Sequence, residues 1–159
     1  MSSPTSATTA GHETGAHDQQ RAPGDLATGA TKGVILRQEN GVVVFRPLDT
    51  SYEHYLELAG GTFGGELGRN VRAIIRVRAR KVYTVLSGGN FVQPILGTPR
   101  IVQGRVVALE GNTLYVKSIS LFAVELPTGR DSIDMAQGEL AVNTMVNVTA
   151  LPGAAIELR

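Results

Sequence analysis

From Gly33 onward, apolar and polar residues alternate in short runs separated by glycine-bearing turns. A period of two is that of a β-strand with one buried face. "VILRQENGVVVF" sets apolar runs on both sides of Asn40-Gly41, a dipeptide that readily takes the positive φ values of a two-residue hairpin. "RVVALEGNTLYVK" repeats the arrangement around Gly111-Asn112. The pattern predicts strands near 33–38, 41–46, 53–59, 71–79 and 81–86, then near 104–109, 112–118, 120–126, 143–150 and 154–158. Helical periodicity is nearly absent. In "DSIDMAQG", Asp131 or Ser132 is predicted to cap one short helical turn ending at Gly138.

The two sets of strands carry the same anchors in the same order. Gly33 with its Glu39 turn answers Gly104 with its Glu110 turn. "LELAGG" (56–61) answers "VELPTG" (124–129), and "GELGRN" (65–70) answers "GELAVN" (138–143). The second set inserts "RDSIDMAQ" where the first has the short turn "GGTFGG". The expectation is an all-β chain of two small five-stranded barrel-like modules, OB-like or SH3-like, from an internal duplication. They span 33–86 and 104–159. The linker 87–103 is expected to pack between them, with Phe91, Val92, Ile95 and Leu96 filling the interface. Residues 1–32, rich in Ser, Thr, Ala, Gly and Gln without apolar periodicity, are expected to be a disordered tail.

Five strands with a short helical insert between the third and fourth, on the texture "GRVVALEGNTLYV" followed by "GELAVNTMVNV", resemble the OB-fold. The resemblance covers 104–159 better than 33–86, which lacks the insert. It implies a scaffold that presents a basic sheet face with aromatics to single-stranded nucleic acid.

Charge sharpens the picture. The chain carries +1 overall, but by segment it is −1 over 1–32, +4 over 33–103 and −2 over 104–159. The positive charge concentrates in "VRAIIRVRARK" (71–81), where arginines alternate with small apolar residues. Aligning the GEL motifs sets Ala73, Ile75 and Val77 against Val146, Val148 and Ala150, an inward row in both halves. The outward row is Arg72, Ile74, Arg76 and Arg78 in the first half but Met145, Asn147, Thr149 and Leu151 in the second. The scaffold therefore does not require arginine there. The candidate nucleic-acid surface is Arg46, Arg69, Arg72, Arg76, Arg78, Arg80 and Lys81 with Tyr52, Tyr55 and Phe63; Tyr83 is a further candidate aromatic. About four to six phosphate contacts would make binding strongly salt dependent. The competing reading is a solvated face that blunts edge-to-edge pairing, with Glu53, Glu57 and Glu66 pairing the arginines.

Chemistry is thinly represented. The chain has no Cys, which excludes disulfides, zinc–thiolate sites and a thiol nucleophile. "GGTFGGELG" lacks the Lys-Ser/Thr of a phosphate loop and reads as a turn. His12 and His17 flank Glu13 in the tail, where nothing preorganises a metal site. Asp131 and Asp134 lack further ligands in register. His54, beside Glu53, has no identifiable nucleophile. The expectation is a non-enzymatic protein without cofactor or metal, whose partner is single-stranded nucleic acid or another acidic molecule. The alternative is a structural, assembly or protein-contact role, including a homo-oligomer. No apolar run reaches membrane-span length and the N-terminus lacks a signal-peptide pattern, so the expected location is the cytoplasm, and "NVT" at Asn147 is a chance sequon.

Overall fold

The hairpin turns form where their residues tolerate the required dihedrals. Asn40 and Gly41 take φ of 55° and 79° between β1 (Thr31–Glu39) and β2 (Val42–Pro47), and Gly111 takes 60° between β7 (Ile101–Glu110) and β8 (Thr113–Lys117). The computed structural model describes residues 29–59 and 61–159, and the expected tail falls largely outside them. Thr31 and Lys32, assigned to that tail, instead open β1 and pair with Ala73 and Arg72.

The remaining strands are β3 (Glu53–Leu58), β4 (Asn70–Val85), β5 (Phe91–Gln93), β6 (Leu96–Gly97), β9 (Leu121–Glu125), β10 (Ile133–Asp134), β11 (Met145–Ala150) and β12 (Ala155–Leu158). All twelve belong to one mixed sheet, and the chain is all-β. The expected helical turn is reduced to a three-residue 3-10 segment, Arg130–Ser132, which runs directly into β10. The segment 87–103 is more than a linker, since β5 pairs β7 and β6 pairs β3. Within it Val92 is buried as expected, whereas Ile95 and Leu96 stand in solvent at 53% and 58% exposure.

The largest departure from the sequence pattern is β4. Strands expected at 71–79 and 81–86 are one continuous strand of 16 residues. No Gly or Pro interrupts it, and a bulge opposite Thr149 and Ala150 absorbs Arg80 and resets the alternation. In the second half Pro152 and Gly153, the latter at φ 99°, stop β11 and start β12 as a separate strand. Neighbours occupy both edges of β4. Ala73 pairs Thr31 and Leu158, Ile75 pairs Phe122 and Ile156, and Val82 pairs Ile133 and Val148.

The order of pairing crosses between the halves. β1–β2–β3 is an antiparallel meander and β4 returns beside β1, a Greek-key order. β7–β8–β9 is a second meander, with β11 returning beside β7. The strand that closes against the third member of each meander comes from the other half: β12 runs parallel to β3, and residues 75–78 of β4 run parallel to β9. One main apolar core spans both halves, running from Ile35, Phe45 and Leu56 through Ile75 and Val77 to Leu114, Phe122 and Val148. Each such side chain contributes about 1.5–3 kcal/mol when fully buried.

Two glycines make the tight strand crossings possible. A Cβ at Gly33 would collide with the Arg46 carbonyl and the Phe45 ring, and one at Gly104 with the Lys117 carbonyl. Backbone atoms cannot swing aside as a side chain can. Gly33→Ala and Gly104→Ala are each expected to cost about 2–3 kcal/mol, read as a lower urea midpoint at unchanged m-value.

Candidate nucleic-acid interface

On β4 the strand alternation sends Ala73, Ile75, Val77 and Ala79 into the core and Arg72, Arg76, Arg78 and Arg80 outward. The outward row is not wholly solvent-facing as the sequence pattern implied. Ile74 is fully buried on that side, in a small cluster with Ala30, Leu121 and Ala123. The bulge leaves both Arg80 and Lys81 exposed.

The residues beside Arg76 in register are Ala123 on β9 and Ala155 on β12. Small side chains on both flanks leave a shallow cavity of about 340 Å³, bordered by Arg76, Arg78, Asn112, Glu125 and Gly153. A larger cavity of about 960 Å³ lies where β3, the 93–101 segment and the Leu151–Ala154 turn meet. Its wall is mostly apolar, and its polar side chains include Tyr55, Glu57, Arg80 and Arg100. Gly153 lines both cavities.

Ion pairing divides the candidate cations. Arg76 meets Glu157 at 2.6 Å. Arg46 meets Glu53 at 2.8 Å, with Arg37 on the same carboxylate at 3.5 Å, and Arg69 meets Glu66 at 3.4 Å. Glu53 and Glu66 thus pair arginines as the competing reading expected, whereas Glu57 makes no ion pair among the described residues. Among the described residues Arg78, Arg80, Lys81 and Arg100 make no ion pair. Arg78 instead reaches the Pro152 carbonyl at 3.5 Å. The Arg76 pair is partly solvated and worth about 0–1 kcal/mol, so a phosphate can displace the glutamate.

The aromatics fare less well. Phe63 is 9% exposed and belongs to the core, so it offers no ring for stacking; this corrects its place on the surface. Gln38 clamps its backbone, accepting from the Phe63 N–H at 2.8 Å and donating to its carbonyl at 2.9 Å. The Gly-rich stretch is accordingly a pinned turn. Tyr52 is half-buried against the core and tilted on His54, with ring centroids 5.9 Å apart. Tyr83 accepts a hydrogen bond from the Asn147 amide. Of these aromatics Tyr55 lines the larger cavity, with the Arg37 guanidinium 5.9 Å from its ring centroid.

Arg100 was missed because a lone arginine after Thr98-Pro99 carries no periodic signal. Chain folding alone brings it to the cavity that Arg80 also lines. Among the described residues no group of three or more His, Asp or Glu could hold a metal ion, and no helix is long and apolar enough to cross a membrane. No family model matches the chain, nor does any curated protein or solved structure.

His54 lies at the centre of the fold rather than in a cavity. Its Nε2 is 3.2 Å from the Ser120 hydroxyl, joining β3 to the β8–β9 turn, and both residues are fully buried. No substrate can reach that pair. Nδ1 has no partner among the described residues, and burial lowers the His54 pKa from 6.5 to about 4. The unfolded chain therefore takes up a proton below pH 6.5 while the folded chain stays neutral. Stability is expected to be flat above pH 6.5 and to fall by up to about 3 kcal/mol as pH approaches 4. Urea midpoints against pH check this, with the fall reduced in His54→Gln.

Proposed function

We propose that the chain is a non-enzymatic binding module that grips a polyanion, with single-stranded nucleic acid as the ligand, through the arginines of β4. One observation carries the reading. Arg76, Arg78 and Arg80 stand exposed in a row on an unbroken strand and border two cavities that share Gly153. A polymer lying over Gly153 would meet Arg76 and Arg78 in the smaller cavity, then Arg80 and Arg100 in the larger. Guanidinium groups bind phosphate oxygens bidentately and stack on bases.

The reading takes the two halves as copies of one OB-like module that have exchanged their closing strands. Its support is the repeated Greek-key order, the reciprocal parallel pairings of β3 with β12 and β9 with β4, and the equivalent crossing glycines Gly33 and Gly104. OB-type modules take ligands on the face of their second and third strands. Here Val42 of β2 and Tyr55 and Glu57 of β3 line the larger cavity.

A second reading rests on Leu86, Ile95 and Leu96, each more than half exposed. It is a protein contact or homo-oligomer, and light scattering on a sizing column would favour it by showing a stable oligomer that survives loss of the arginines.

The primary test is fluorescence anisotropy of labelled single-stranded RNA, single-stranded DNA and duplex DNA across a salt series. Wild type is expected to bind single strands with affinity that falls steeply with salt. The Arg76→Glu/Arg78→Glu/Arg80→Glu variant, still folded by circular dichroism, should bind far more weakly, with a log–log salt slope shallower by about two. Absence of wild-type binding at low salt would remove the proposal.

A further inference from the structure

The larger cavity contains a group that an anion-binding site would be expected to exclude. Glu57 lies in the same cavity as Arg80 and Arg100 and makes no ion pair among the described residues. Its backbone is held on both edges, by Val42 of β2 and Ala155 of β12, and its N–H donates to the Ala154 carbonyl at 2.9 Å. The side chain therefore springs from a fixed point, exposed to solvent and with no protein hydrogen-bond or ion-pair partner among the described residues, so a ligand donor would replace only water. A carboxylate placed there repels phosphate, so it gives selectivity rather than affinity for backbone.

Resting on the polyanion reading above, we infer that the larger cavity is a base pocket in which Glu57 selects guanine. The Watson–Crick edge of guanine presents the N1–H and the 2-amino group side by side, a parallel pair of donors that matches the two oxygens of a carboxylate. Adenine and cytosine offer one amino donor next to a ring acceptor, which faces the carboxylate unfavourably. Uracil and thymine offer one N–H flanked by two carbonyls. The cavity supplies the rest of the recognition. Pro94, Pro152 and Tyr55 give flat apolar surfaces for the base, and Arg80 and Arg100 stand ready for the flanking phosphates. A volume of about 960 Å³ accommodates a nucleotide.

The test uses short oligothymidylates of one length, carrying thymine, guanine or hypoxanthine at the central position. Hypoxanthine keeps the N1–H and lacks the 2-amino group. Anisotropy titrations with the full chain are expected to show the guanine oligomer binding about tenfold tighter than the all-thymine one, with hypoxanthine losing most of that gain. In Glu57→Gln the guanine-to-thymine ratio should fall to near one. Equal wild-type affinity for the guanine and thymine oligomers would overturn the inference and leave the polyanion reading standing. So would a preference that persists unchanged in Glu57→Gln. Failure of every oligomer to bind at low salt would overturn both.

Discussion

The backbone ladder along both edges of β4 is the constraint on which the rest of the molecule depends. β1 and β9 meet one edge in succession, each opposite β12, while β10 and β11 face each other across its far end. Ala73, Ile75, Arg76, Val82 and Tyr83 have strand partners on both sides, so at these positions β4 offers no edge to another chain. The main core from Ile35 to Val148, shared by both halves, is a consequence. Because β4 pairs with strands of both halves, neither half can be removed without stripping hydrogen bonds from the other.

That arrangement also explains where the cavities are. The pairing of β12 with β3 and of β4 with β9 requires the chain to cross from one half to the other at Leu151–Ala154 and again through 86–100. Crossing segments cannot fill the space between strands as tightly as side chains on adjacent pleats do. The two cavities lie along this seam, and Gly153, at φ 99°, sits between them. The arginines of β4 border the seam because β4 itself passes through it. The arginines of the ladder thus stand in different surroundings. Arg76 is held by Glu157, Arg78 leans on the turn, and Arg80 faces a cavity with Arg100.

His54 and Ser120 show how closely the halves interlock. A buried imidazole with only one partnered nitrogen is an expensive group. It is kept neutral by burial among apolar neighbours, with Phe122 against its edge. The polar contact spans 66 positions of sequence and ties β3 to the β8–β9 turn. It is a structural link between the halves, coupled to pH only through the penalty for charging it.

Local chemistry in the sequence determined the hairpins at Asn40-Gly41 and Gly111-Asn112, the all-β class, the inward row on β4 and the outward arginines. These follow from dihedral preference and a period of two, both properties of neighbouring residues. The tertiary structure decided what a period of two leaves open: which strand lies across each edge. It made one strand of 71–86, joined the two halves into one sheet and covered Ile74 on the face that alternation assigned to solvent. It also withdrew Phe63 into the core and set Arg100 and Glu57 on the same cavity as Arg80. Alternation tells a side chain which face it is on, whereas exposure depends on what packs over that face, and here much of what does so comes from the other half of the chain.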